Sequence, residues 1–264
     1  MMNKAAVFLP ALIMACLAAG SARAEDETHL SGFYVSPRLG ATMLRATENT
    51  FSTTMVTGGL TNTVGELDAG TATASAFSPS FAVGYEFATR WQQPVRLELA
   101  WLDGGSVSQS TTMQTTMNSS WTNLGAYVQS LPTTVQREQK TRVSTLMMNG
   151  YYDYTTGTAF TPYISGGVGV AFLNNTTALS QSGAGLSFSS DDFSNKNTRL
   201  AWSLGFGVAW AVTPALSADL GYQFTNAGDV RTEGTASNGI TSATWESHTH
   251  LQLHTVLAGI RYTF

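Results

Sequence analysis

The run Leu200-Ala201-Trp202-Ser203-Leu204-Gly205-Phe206-Gly207-Val208-Ala209-Trp210-Ala211-Val212 alternates large and small residues without a break. Leu200, Trp202, Leu204, Phe206, Val208, Trp210 and Val212 share one parity; the other holds only Ala, Ser and Gly. Side chains of a β-strand alternate between two faces, so this is a strand with one large apolar face and one face of tiny residues. A helix over the uncharged stretch Leu200–Ala218 is excluded by the strict alternation, the paired glycines and Pro214.

Seven further segments read the same way, at about 31–44, 77–87, 95–103, within 142–154 (phase ambiguous), 162–173, 216–225 and 251–264. Short connections join them at 88–94, 155–161 and 213–215. Long ones, rich in Ser, Thr, Asn and Gly, lie at 45–76, 104–141, 174–198 and 226–250. Their composition offers little apolar area to bury, which predicts mobile loops. Long connections at one end and short ones at the other suit an outer-membrane barrel, with short periplasmic turns and long extracellular loops. The predicted fold is all-β, an eight-stranded antiparallel transmembrane β-barrel.

The faces opposite the large apolar residues support this. They carry Arg38, Glu86, Arg96, Glu98, Arg199, Asp219 and Arg261 in mid-strand, joined by Asp153 if Asn149 and Tyr151 also face inward. A membrane barrel turns its apolar face to lipid and keeps its interior polar or small. Four arginines against four carboxylates predict ion pairs that cross the lumen and block it, since buried charges are costly unless paired. Trp91, Tyr154, Phe160, Tyr163, Trp210, Tyr262 and Phe264 lie near the short-turn end and read as one interfacial aromatic girdle.

Composition agrees. The 264 residues are 43% hydrophobic and only 11% charged, with net charge −4. The chain is too apolar for disorder and too acidic for an electrostatic nucleic-acid binder. Met1–Ala24 reads as a cleaved export signal, with Lys4 before an apolar run and Ala22-Arg23-Ala24 before Glu25. A membrane anchor and a lipoprotein signal at Ala15-Cys16 are the alternatives. Cleavage removes the single Cys and leaves 25–264 as the barrel domain.

The C-terminal Ala258-Gly259-Ile260-Arg261-Tyr262-Thr263-Phe264 resembles the closing signature of Gram-negative outer-membrane barrels, with Leu257 where that pattern prefers a polar residue. The resemblance implies that Gly259, Tyr262 and Phe264 are an assembly signal read by the barrel-assembly machinery. Asn149-Gly150-Tyr151-Tyr152-Asp153-Tyr154 and Thr161-Pro162-Tyr163-Ile164-Ser165-Gly166-Gly167-Val168-Gly169 resemble the opacity-protein and OmpA-type family of surface proteins. That implies a surface antigen, adhesin or structural barrel in the outer membrane, here without the peptidoglycan-binding domain of full-length OmpA-type relatives. Its expected partners are outer-membrane lipid and lipopolysaccharide, and host or cell-surface ligands met through the loops. A narrow channel and a lipid A-modifying enzyme are the alternatives.

No cofactor is expected. His248 and His250, with His254 beyond, are the only His cluster; two His at i, i+2 on one strand face could bind a metal, but no obvious third ligand accompanies them, and Ser247-His248 could be drawn as a deacylase-like pair. Asp191-Asp192 lacks the spaced oxygen ligands of a calcium loop. Gly166-Gly167-Val168-Gly169 precedes no helix and suits a crowded barrel interior rather than a phosphate cradle. Arg137, Lys140 and Arg142, with Lys196 and Arg199, lie at the loop ends of their strands, at the height of lipopolysaccharide phosphates.

Overall fold

The computed structural model describes residues 31–121, 129–183, 186–189, 193–237 and 241–264. The expected export signal and Asp191-Asp192 lie outside the described residues. The strands are β1 Phe33–Thr57, β2 Leu60–Asp68, β3 Ala72–Glu86, β4 Val95–Trp121, β5 Gln129–Asp153, β6 Phe160–Gly183, β7 Leu186–Ser189, β8 Phe193–Ala211, β9 Leu216–Ser237 and β10 Thr241–Thr263. One short helix, α1 Ala88–Trp91, sits in the β3–β4 turn.

Eight of these strands close a ring in the order β1-β3-β4-β5-β6-β8-β9-β10, and β10 pairs back onto β1 from Tyr34↔Thr263 upward. Every ladder is antiparallel. β2 and β7 are extra strands, folded from the first and third long connections. The belt facing outward is apolar, with Leu200 at 85% and Phe77 at 67% exposure, and with Leu39, Ile164, Leu204 and Phe206 also turned out. Along β8 it runs from Trp210 to Leu200, which with barrel tilt is about 25 Å of hydrocarbon height. The ambiguous phase of β5 is resolved. Met148 and Tyr152 face out, while Asn149 and Asp153 are buried inside.

Among the described residues the long connections are mostly strand, in large part continuations of the ring strands, because the strands reverse their polarity above the belt. Along β5 the outward parity reads Tyr152, Met148 and Leu146, then Arg142, Lys140 and Glu138. The inward parity reads Asp153 and Asn149, then Met147, Val143 and Val135, all buried. Below the crossover the apolar face seeks lipid. Above it the apolar face is a water-excluding core, so Thr- and Ser-rich segments pair as ordinary half-buried strands. That core unites Leu44, Val107, Val143, Met147, Leu173, Val230, Leu251 and Leu253. It corrects the expectation of an interior that is polar or small throughout.

Two seams divide the upper part. The β3–β4 ladder stops at Ser80↔Leu102, next to a bulge between Asp103 and Gly105. The β8–β9 ladder stops at Trp202↔Asn226, where Gly228 has φ +76 and its N–H donates to the Asn226 side chain at 2.8 Å. Bulges add local twist, and Gly105 (φ +79) and Gly228 supply a left-handed backbone there at little cost. Above the belt the ring therefore opens into two facing sheets, β4-β5-β6-β8 and β9-β10-β1 with β2 and β3. Pairing of β2 with β4, from Leu60↔Trp121 to Thr63↔Asn118, bridges the first seam at its top.

Candidate functional site

The lower lumen is filled by a charged network centred on Glu98 of β4, which is 1% exposed. Arg38 of β1 reaches over the intervening β3 and donates to both carboxylate oxygens, Nη1 to Oε1 at 2.9 Å and Nη2 to Oε2. The Tyr34 hydroxyl donates to Oε2 at 3.0 Å and the Tyr151 hydroxyl to Oε1 at 2.8 Å. Next to this hub Arg96 holds Asp153 through two bonds of 2.7 and 2.8 Å. The Arg96 guanidinium lies over the rings of Tyr151 and Tyr163 at 4.4 and 5.0 Å. A third pair, Arg261 and Asp219, faces across β9 and β10 at 3.9 Å, with Arg261 over the Tyr34 ring.

Small residues make room for these long side chains. A methyl group on Gly84 would run into the Tyr34 ring. One on Gly207 or Gly221 would meet the Tyr163 hydroxyl at 2.5–2.6 Å, and one on Gly259 would meet Arg38 Cγ at 2.5 Å. The tiny face of β8 is thus the floor across which Tyr163 lies. Gly167 and Gly169, on the inward face of β6, make the same allowance for Asn149 and Met147.

Six of the eight expected lumen charges pair as three couples. Glu86 and Arg199 do not form an ion pair among the described residues. Glu86 stands at the periplasmic rim and Arg199 above the outermost belt residue Leu200, so neither shares the depth of the network. The network's tyrosines were missed, although Tyr34 shares parity with Arg38, and Tyr151 with Asp153. Tyr163, expected in the girdle, points inward instead. Trp91, Tyr154, Phe160, Trp210 and Tyr262 do face out, with Phe160 stacked on Trp210.

The upper candidates separate by face. Lys140, Arg142 and Lys196 are exposed on the outside, whereas Arg137 is buried inside and Arg199 faces in, so the five basic residues are not one cluster. Arg137 donates to Gln139 and, across the two sheets, to Ser247 Oγ at 2.7 Å, and it lies over the Phe51 ring. It has no carboxylate partner among the described residues, and burial pulls its pKa down to about 10. A lowered basic pKa means that the charged form costs folding stability at pH 7, a cost relieved as pH rises through 10. Arg137→Met is therefore expected to unfold at the same or a higher temperature than the parent at pH 7, the gap narrowing above pH 10. A clearly lower midpoint at pH 7 would show that the bonds to Ser247 and Gln139 outweigh the buried charge.

The histidines lie along one outer face of β10, each with its own partner. His250 contacts Asp229 at 2.8 Å, His254 the Tyr222 hydroxyl at 2.7 Å, and His248 lies 4.0 Å from Glu246. Among the described residues no three ligating side chains gather as a metal site. Ser247 and His248 project to opposite faces of β10, so alternation forbids the deacylase-like pair.

Comparison with known proteins adds four findings. The family model described as outer membrane protein beta-barrel domain matches residues 12–264. Outer membrane protein PagN of Salmonella typhimurium is 29% identical over the whole of both chains. A candidate adhesin of Rickettsia prowazekii is 25% identical over 69% of this chain and 78% of its own length. Among solved structures, OprG of Pseudomonas aeruginosa is 16% identical at a TM-score of 0.41, with 91% of this chain and 99% of that chain covered.

Proposed function

Because this chain belongs to the outer membrane protein β-barrel domain family, we propose that it is a non-enzymatic surface barrel of adhesin type. The observation that carries this reading is the extracellular two-sheet body, in which the described strands continue well above the lipid-facing belt of a closed, packed barrel. The name of the Rickettsia relative supports the adhesin reading, and that of the Salmonella relative supports the outer-membrane barrel. The barrel anchors and the tips meet host or neighbouring-cell ligands. Cells displaying the protein are expected to adhere to cultured epithelial cells, and replacing residues 116–132 by a two-residue turn should remove most of that adhesion. Equal adhesion by folded, displayed protein would move the ligand site off this hairpin.

The charged lower layer and the apolar upper layer both oppose a channel, so planar bilayers should record no large steady conductance. Outer-membrane lipid surrounds the belt, and Gly259, Tyr262 and Phe264 serve the barrel-assembly machinery. Tyr262 and Phe264 meet edge to face at 5.2 Å at the periplasmic rim, and Phe264 N–H donates to Phe33 O at 2.8 Å. Deleting Phe264 should lower the folded fraction in the outer membrane severalfold, read from the compact band on an unheated gel. An unchanged fraction would separate this residue from assembly. Gly259 also has a packing role, since Arg38 passes over it.

A further inference from the structure

Four rows of outward residues cross β5, β6 and β8 in register at the top of the belt. The lowest is Leu146, Val170 and Leu200, and the next is Ser144, Phe172 and Thr198. Above them come Arg142, Asn174 and Lys196, then Lys140, Thr176 and Ser194. Neighbouring strands lie about 4.8 Å apart, so Arg142 and Lys196 are about 10 Å apart at the backbone, with Lys140 about 7 Å above Arg142. All three cations are exposed. Arg142 is paired with Asp103 at 2.6 Å, and Glu138 is the nearest carboxylate beyond Lys140 on its strand. Lys140 and Lys196 have no ion-pair partner among the described residues.

This arrangement is local to one side. On the opposite face, at the same height, β10 and β1 present Gln252 and His250 beside Arg45 and Thr47. The strip also ends on a free edge, because β8 has no partner toward β9 above Trp202 among the described residues. On the other face of that edge, Asn197 Nδ2 and Arg199 Nε are buried donors without an acceptor.

We propose that this strip binds the phosphate-bearing headgroup of an outer-leaflet glycolipid. Its acyl chains lie along Leu146, Phe172 and Leu200, and its phosphates lie between Arg142, Lys140 and Lys196. The depth selects the ligand: cations two and three rows above the last fully apolar row meet the layer where lipid phosphates lie. Arginine and lysine donors to phosphate form strong charge-assisted bonds. The site rests on the outward orientation of the long hairpins and not on what their tips bind.

The test measures retention of bisphosphorylated lipid A by the folded full-length barrel in detergent. Lys140→Ser combined with Lys196→Ser should weaken retention by roughly tenfold or more, at about 1 kcal/mol per cation. Arg45→Ser, on the other side, should leave it unchanged. Dephosphorylated lipid A should bind the parent as weakly as lipid A binds the double variant. The compact unheated gel band confirms that every variant tested is folded. Equal retention by the double variant, or equal retention of dephosphorylated lipid A, would overturn the site. Displacement of lipid A by millimolar inorganic phosphate would assign the cations to a soluble anion and overturn the lipid as ligand.

Discussion

Glu98→Ala is expected to be the most damaging single truncation in the lumen. The substitution leaves the Arg38 guanidinium buried without its counter-charge and strips the Tyr34 and Tyr151 hydroxyls of their acceptor. Breaking a buried pair by removing one partner costs about 3–5 kcal/mol. The compact gel band should therefore convert to the extended one at a markedly lower temperature. Glu98→Gln, which keeps an acceptor and loses the charge, should fall between. Glu86→Ala, at the rim, should convert with the parent. If Glu98→Ala also converted with the parent, Arg38 would have to be held by something other than this carboxylate.

Leu253→Asp is the second large effect. Leu253 is fully buried in the apolar layer that also holds Leu44, Val143 and Leu173, and no ion-pair donor lies in that cluster. Truncation to alanine would cost about 2–5 kcal/mol through lost burial and the cavity left behind. An aspartate adds an unpaired buried carboxylate to that cost. Above the seams the two sheets share few ladder bonds, so the damage should be regional. Amide exchange should accelerate through 105–116 and 132–143 while 200–210 stays protected. Uniform acceleration across both regions would mean that the upper body and the belt unfold as one unit. Unchanged exchange would mean that the apolar layer does not join the sheets.

The belt was readable from the sequence because each belt strand separates lipid from lumen. Leu200–Val212 states both environments in a single alternation, and the closing strand is as plain at Val256, Ile260 and Tyr262. The upper strands were not readable. Their inward positions mix Val143 and Val135 with Thr141, Gln139 and Arg137, while their outward positions are Lys, Glu, Gln and Thr. Alternation there is diluted, and its sign is opposite to that of the belt on the same strand. A reading that assigns one polarity to each face therefore sees only the end of a strand. Six of the eight lumen charges expected from parity share the network, but their pairing and the tyrosines between them were not legible. That Arg38 meets Glu98 two strands away depends on register, on Tyr34 lying across Gly84 and on Arg38 lying across Gly259. None of these has a local signature.

The reversal of polarity along each strand also governs how this protein can vary. Selection by an immune system acts on surfaces that antibodies reach, and a packed core resists change. In the upper body these two pressures fall on alternate residues of the same strand. Differences between strains should follow a period of two along 133–143. Odd positions, which build the core between the sheets, should stay constant; the even positions 134, 136 and 138, which face water, should be free to diverge, while Lys140 and Arg142 are held by the lipid they meet. At the height of Leu146 and Leu200 that rhythm should change phase, because from there downward the outward residues answer to lipid rather than to antibodies.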